Sequence, residues 1–226
     1  MSHGKQFTLY THKGGPNGWK VAFVLAELGL TYESVYLDFN KNEQKAPEFT
    51  KYNPNGRIPA LIDHKNKDFT VWESNAIIVY LVEKYDTAHR ISAATPEDKI
   101  LQLQWLFFQA SGQGRACFSP YFGQAIWFKV YHAEKVPSAI ERYQKETARV
   151  ISVLDGVLSK QEWLVGGKYS VADISFVSWT NAALAAVLPD AQGVNVEKDY
   201  PAFWAWHQKL ISQDAIKAVW AEKSAL

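Results

Sequence analysis

The hydrophobic pattern changes period near residue 86, and that change restricts the fold more than any composition figure does. Before it, short runs that alternate polar and apolar positions are interleaved with runs at three-and-four spacing; after it, only the helical spacing recurs. Phe7-Thr8-Leu9-Tyr10 alternates with period two, whereas Lys20 to Leu28 puts Val21, Val24, Leu25 and Leu28 on one helical face before a stopping Gly29. Tyr32 to Phe39 alternates again through Val35 and Leu37, and Ala46 to Tyr52 predicts a short helix opened near Pro47. Ile58 to Asp63 and Phe69 to Trp72 predict two further strands, and Ser74 to Tyr85 closes the unit as a helix. The predicted order is β-α-β-α-β-β-α.

From Asp86 to Pro96 the residues are small or polar, as in a linker, and no strand pattern follows. The clearest later helix runs from Ser138 to Leu158, with Val150, Ile151, Leu154, Val157 and Leu158 in one stripe and Ser138 and Glu141 spaced as a capping box. A second box, Ser170-Val171-Ala172-Asp173, with Tyr169 and Ile174 as a hydrophobic staple, predicts a helix that ends before Pro189. The expected organisation is therefore an α/β domain over residues 1–86, a linker over 87–95 and an all-α domain over 96–226.

Composition narrows the function classes. The 226 residues amount to about one and a half typical domains, 47% hydrophobic with nine Trp, eleven Tyr and twelve Phe, which excludes a disordered or fibrous chain. With 24 basic and 23 acidic residues the net charge is only +1, so no global field draws the chain to nucleic acid or anionic lipid. The polar start lacks a secretory pattern, and no run approaches the roughly 18 apolar residues of a membrane span, so a cytoplasmic location is expected. A single cysteine, Cys117, excludes intrachain disulfides and CxxC motifs, and the histidines show no metal-ligand spacing. No metal is expected.

Several segments carry a family resemblance. Asn53-Pro54-Asn55-Gly56-Arg57-Ile58-Pro59-Ala60-Leu61, Trp72-Glu73-Ser74-Asn75-Ala76-Ile77 and Ser170-Val171-Ala172-Asp173 resemble, in order and spacing, motifs of the cytosolic glutathione transferase superfamily. The match covers nearly the whole chain. More narrowly, Gly15-Pro16-Asn17-Gly18-Trp19-Lys20, Leu37-Asp38-Phe39, Gly123-Gln124-Ala125 and Ala139-Ile140-Glu141-Arg142-Tyr143 resemble the fungal transferases related to the yeast nitrogen-catabolite regulator, a pattern largely shared with the bacterial nu class. The implied fold is a thioredoxin-like α/β N-terminal domain followed by an all-α helical domain.

The resemblance assigns roles to residues that otherwise have ordinary readings. Asn17 stands after the first strand, where thioredoxins carry cysteine; on its own it is a turn or cap residue, and by resemblance its amide stabilises the thiolate of bound glutathione. Ile58-Pro59 is either a strand-entry proline or the family's cis-proline segment, whose Ile58 backbone pairs with the cysteinyl part of glutathione. Glu73 and Ser74 open a helix, and by resemblance they hold the γ-glutamyl group; Arg57 and Arg142 are either surface charges or partners of a carboxylate. Tyr121, Phe122, Gln124 and Trp127 are either core or the lining of an acceptor pocket, and the Arg115–Ser119 stretch before them reads as an insertion. One departure stands out: many relatives have a hydroxyl residue where this chain has Gly15, so thiol activation is expected to be either weaker or shared with Thr11 or Tyr10, both of which also read as ordinary strand residues.

These assignments imply a detoxifying, glutathione-dependent enzyme, with glutathione as co-substrate and glutathione disulfide as a related ligand. Its second substrate would be a disulfide or peroxide, with weaker conjugation to a small hydrophobic electrophile. A homodimer is implied by the superfamily, with no nucleic-acid or membrane partner. The alternative is a non-catalytic ligand-binding or regulatory protein on the same fold, like the fungal regulator. That regulator carries a long polar extension, whereas the present sequence begins six residues before Phe7.

Overall fold

A computed structural model describes residues 4–113 and 121–226. The Arg115–Ser119 stretch and Cys117 lie outside the described residues. The chain divides into two compact units, one made of residues 1–90 and 213–226, the other of residues 91–212.

The first unit follows the predicted order. Strand β1 (Phe7–Thr11) leads to helix α1 (Pro16–Glu27) and strand β2 (Tyr32–Tyr36); a short helix α2 (Pro47–Thr50) precedes β3 (Ala60–Asp63), β4 (Phe69–Trp72) and helix α3 (Ser74–Tyr85). The sheet order is β2-β1-β3-β4, with β1 and β2 parallel and the other two pairings antiparallel. Helix α1 starts four residues earlier than the apolar stripe alone predicts. Proline at its first position lacks an N–H that no intrahelical acceptor would need, and its fixed φ suits the first turn. β2 ends at Tyr36 rather than Phe39, because Asp38 turns the chain into a 3₁₀ helix by accepting from Asn40 N–H. The core sets Phe7, Leu9 and Leu61 of the sheet with Val21, Val24 and Leu25 of α1 and Ile77, Ile78 and Leu81 of α3, all at most 1% exposed.

The second unit contains α4 (Pro96–Gly112), α5 (Tyr121–Ile126) continued by a π-helical turn over Trp127–Tyr131, α6 (Pro137–Leu158), α7 (Val171–Ile174), α8 (Val177–Ala186), α9 (Val196–Asp199) and α10 (Pro201–Ile211). α11 (Asp214–Ser224) returns to the first unit, packing on α1 with Trp220 edge-on to Phe23, ring centroids 5.2 Å apart. The residues 213–226 therefore belong with the sheet, whereas the sequence pattern groups them with the helices that precede them. An amphipathic helix shows that it has a partner but not which one.

The two expected capping boxes behave differently. α6 begins at Pro137 with Val136 at its N-cap and no side-chain cap bond, so Ser138 lies inside the first turn and forms no box with Glu141. At α7 the box is complete: Ser170 N–H and hydroxyl both donate to Asp173 Oδ2, at 3.0 and 2.9 Å. Leu164 N–H and Trp206 Nε1 donate to Asp173 Oδ1 at 3.0 Å each. The predicted single helix before Pro189 is instead α7 and α8, broken at Ser175 and Phe176.

Candidate functional site

The register of the sheet brings the sequence-predicted residues of the first unit to one place. Tyr10 of β1 is paired with Ala60 of β3, and Ala60 with Trp72 of β4. The last residues of β1 and β4 and the first residue of β3 therefore share one end of the sheet. Beyond that end come the His12–Gly15 loop with Asn17 in the first turn of α1, the Arg57-Ile58-Pro59 segment, and Glu73-Ser74 at the start of α3.

Each segment is held by local chemistry. Asn53, 2% exposed, donates its side-chain amide to Arg57 C=O at 2.6 Å and accepts from Asn55 N–H at 3.0 Å, which fixes the turn feeding Ile58. The Ile58–Pro59 peptide is cis. The loop before α1 is closed by Gly15 N–H donating to His12 C=O at 2.9 Å and Gly14 N–H donating to His12 Nδ1 at 3.1 Å. That second bond requires an unprotonated Nδ1. Burial accordingly pulls the His12 pKa down, against an upward pull from Asp38, while the ring stacks on Phe39 at 4.2 Å.

Gly15 lies beside Ile58: a Cβ there would come 2.8 Å from Ile58 Cδ1, so a larger residue would require the end of that side chain to shift. Gly18 is more restricted still: its Cβ would lie 1.8 Å from Thr11 Oγ1. Thr11 is buried with that oxygen against the helix start, and Tyr10 packs on Phe49 and Tyr52, its pKa pushed up to about 12 chiefly by burial. Thr11 therefore packs against the start of α1, and Tyr10 against Phe49 of α2 and the following Tyr52.

At α3 the electrostatics differ from those of an ordinary helix start. Glu73 occupies the N-cap at φ 69°, a left-handed conformation that costs a non-glycine residue energy, and its side chain makes no capping bond. It remains exposed, with Ser74 buried behind it. The first turns of α1 and α3 present backbone N–H groups and the positive end of the helix dipole, which suit thiolate and carboxylate groups; Glu73 suits an ammonium.

Two supporting residues were missed by sequence reasoning. Asn53 hides in a turn motif in which each residue has an ordinary turn reading. Lys20 is a lone charge inside the apolar run Trp19 to Leu25, and that interruption was the signal. It is 1% exposed, with Nζ 2.8 Å from Asn75 Oδ1, and burial pulls its pKa down to about 7 against an opposing pull from Glu73.

The remaining sequence-predicted residues lie in the second unit. Arg142 is exposed on α6, next to Tyr143, whose ring stacks on Phe128 at 5.6 Å. Tyr121 lies beneath the Arg149 guanidinium at 5.7 Å, Gln124 and Trp127 are half-buried, and Trp127 faces Tyr131 at 6.2 Å. Phe122 is 0% exposed, a core side chain of that unit. Among the described residues there is no group of three or more His, Cys, Asp or Glu side chains able to hold a metal, and no helix is long and apolar enough to cross a membrane.

Comparison with known proteins names the fold. The description "Glutathione S-transferase, N-terminal domain" matches residues 5–83 and "Glutathione S-transferase, C-terminal domain" matches residues 112–214. Glutathione S-transferase 1 of Schizosaccharomyces pombe is 46% identical over 97% of both chains. Protein URE2 of Debaryomyces hansenii is 38% identical over 93% of this chain and 76% of its own length. Among solved structures, the glutathione transferase URE2P6 from Phanerochaete chrysosporium in complex with oxidized glutathione superposes with a TM-score of 0.93 at 62% identity, covering 100% of this chain and 99% of that one. With both domains matched and a transferase 46% identical over 97% of both chains, the chain belongs to the glutathione S-transferase family.

Proposed function

We propose that the protein is a glutathione-dependent enzyme whose reacting sulfur is supplied by glutathione and stabilised by Asn17. The convergence of Asn17, Ile58-Pro59 and Glu73-Ser74 on one end of the sheet carries this reading. In it, glutathione lies across that end with its γ-glutamyl group at Glu73 and Ser74, its cysteinyl backbone along Ile58, and its glycine carboxylate toward Arg57. In the second unit, taken by itself, Arg142 is the further carboxylate partner of this reading and Tyr121, Gln124 and Trp127 are its acceptor residues, while Phe122 serves that unit's core. Relatives solved with oxidized glutathione and with 1-(S-glutathionyl)-2,4-dinitrobenzene support the ligand class.

The chemistry follows from having no protein thiol in the first unit. The Asn17 amide and the α1 dipole favour the thiolate over the thiol, and a hydrogen bond to a charged group, worth about 1.5–3 kcal/mol, lowers a thiol pKa by roughly one to two units. The thiolate attacks the glutathionyl sulfur of a mixed disulfide of glutathione, forming glutathione disulfide as the S–S bond to the other sulfur breaks. The other sulfur leaves with the electron pair and takes a proton from solvent. Conjugation to an electrophilic carbon is the slower reaction in this reading, as the resemblance to asparagine-type transferases implies. Two copies of the chain pair, consistent with the exposed Phe69 and Trp72 of β4 and Ile100 and Phe107 of α4.

A panel of mixed disulfide, hydroperoxide and aryl halide, each with glutathione, tests the reading in wild type and Asn17→Ala. The expected result is fastest turnover of the disulfide or peroxide in wild type, and roughly a tenfold or greater loss of kcat in Asn17→Ala with glutathione still bound. Unchanged rates in the variant would refute the thiolate role, and no turnover of any acceptor by wild type would refute the enzyme.

A further inference from the structure

We propose that Lys20 is a positioning residue for the γ-glutamyl end of glutathione, linking the thiolate helix α1 to the first turn of α3 through Asn75; this rests on the γ-glutamyl reading of Glu73 and Ser74. Lys20 stands three residues after Asn17, so both lie on one face of α1. Its ammonium reaches across the α1–α3 packing to Asn75 Oδ1 at 2.8 Å. Asn75 directly follows Glu73 and Ser74, so this bond anchors the turn in which Glu73 is held at φ 69°. The Glu73 carboxylate acts on Lys20 electrostatically, so the two groups face one another across this turn.

Stability alone does not explain a lysine here. An ammonium enclosed between two helices pays a desolvation cost that a methionine of similar reach would avoid, and the depressed lysine pKa records that cost. What the lysine adds is a directed bond to the turn carrying Glu73.

The test compares glutathione with cysteinylglycine, which keeps the thiol and the glycine carboxylate but lacks the γ-glutamyl group. In Lys20→Met, KM for glutathione is expected to rise roughly tenfold with kcat within about twofold, while kcat/KM for cysteinylglycine stays within about twofold of wild type. Asn75→Ala, which removes the acceptor and leaves the lysine, is expected to show the same selective loss. It carries the test alone if Lys20→Met does not fold, as judged by circular dichroism and thermal melting.

A folded variant with unchanged glutathione KM overturns the proposal. So does an equal loss for both thiols, the pattern of a residue that only supports the fold. If wild type itself shows no preference for glutathione over cysteinylglycine, the γ-glutamyl reading fails, and the role of Lys20 fails with it. That outcome is seen before any variant is made, which separates it from a failure of Lys20 alone.

Discussion

Two helix starts in this chain are built from similar residues and end up opposite in character. At α7, Ser170 and Asp173 satisfy one another, and the buried carboxylate also accepts from Leu164 and Trp206. At α3, Glu73 stands in a strained conformation with no capping bond and its carboxylate exposed, while an enclosed lysine charge lies behind the turn. The first arrangement spends its polar groups on the fold. The second leaves the Glu73 carboxylate exposed at the helix start, where the proposed function places a ligand.

The largest expected effect breaks the satisfied end. Asp173→Ala removes the acceptor for four donors in a fully enclosed site and should destabilise the protein by about 3–5 kcal/mol, measured by denaturant unfolding. A loss under about 1 kcal/mol would mean that water replaces the carboxylate there.

A smaller effect separates the ends by pH. Lys20 in the folded protein titrates near pH 7, below its value of about 10.4 in the unfolded chain. Between those values the unfolded chain binds the extra proton, so the stability of wild type should rise with pH relative to Lys20→Met, by up to about 1.4 kcal/mol per pH unit. Below pH 7 both states hold the proton and the difference curve should flatten. Parallel stability curves for the two proteins from pH 7 to 9 would show that the enclosed lysine keeps its ordinary pKa.

The smallest effect has the opposite sign from the first. Glu73→Gly relieves the left-handed backbone and should stabilise the protein by about 1 kcal/mol while weakening glutathione binding, read by melting and calorimetry on one sample. Stability and affinity falling together would make Glu73 a structural residue like Asp173.

How much of this was legible follows the same division. The capping box at Ser170 could be read because both of its partners are local, three residues apart. Ser138 and Glu141 have the same spacing and form no box, because Pro137 starts the helix one residue before the serine. The gathering of Asn17, Pro59 and Glu73 was expected from family motifs, but its physical cause is the register Tyr10–Ala60–Trp72, which no local pattern states. The Lys20–Asn75 bond spans 55 residues of sequence, and the return of α11 to the sheet spans nearly the whole chain. Contacts of that range depend on the assembled fold. The neighbourhood of Gly15 and Ile58, 43 residues apart in sequence, likewise appears only in the assembled fold.

The most direct test of the account is the thiol pKa of bound glutathione, followed by ultraviolet thiolate absorbance in wild type and Asn17→Ala. The account predicts a value roughly one to two units below the ordinary thiol value of about 8.5 in wild type, returning toward that value in the variant. A depressed pKa that persists in Asn17→Ala with glutathione bound would contradict it, and would move the thiolate stabilisation to some other group at this end of the sheet.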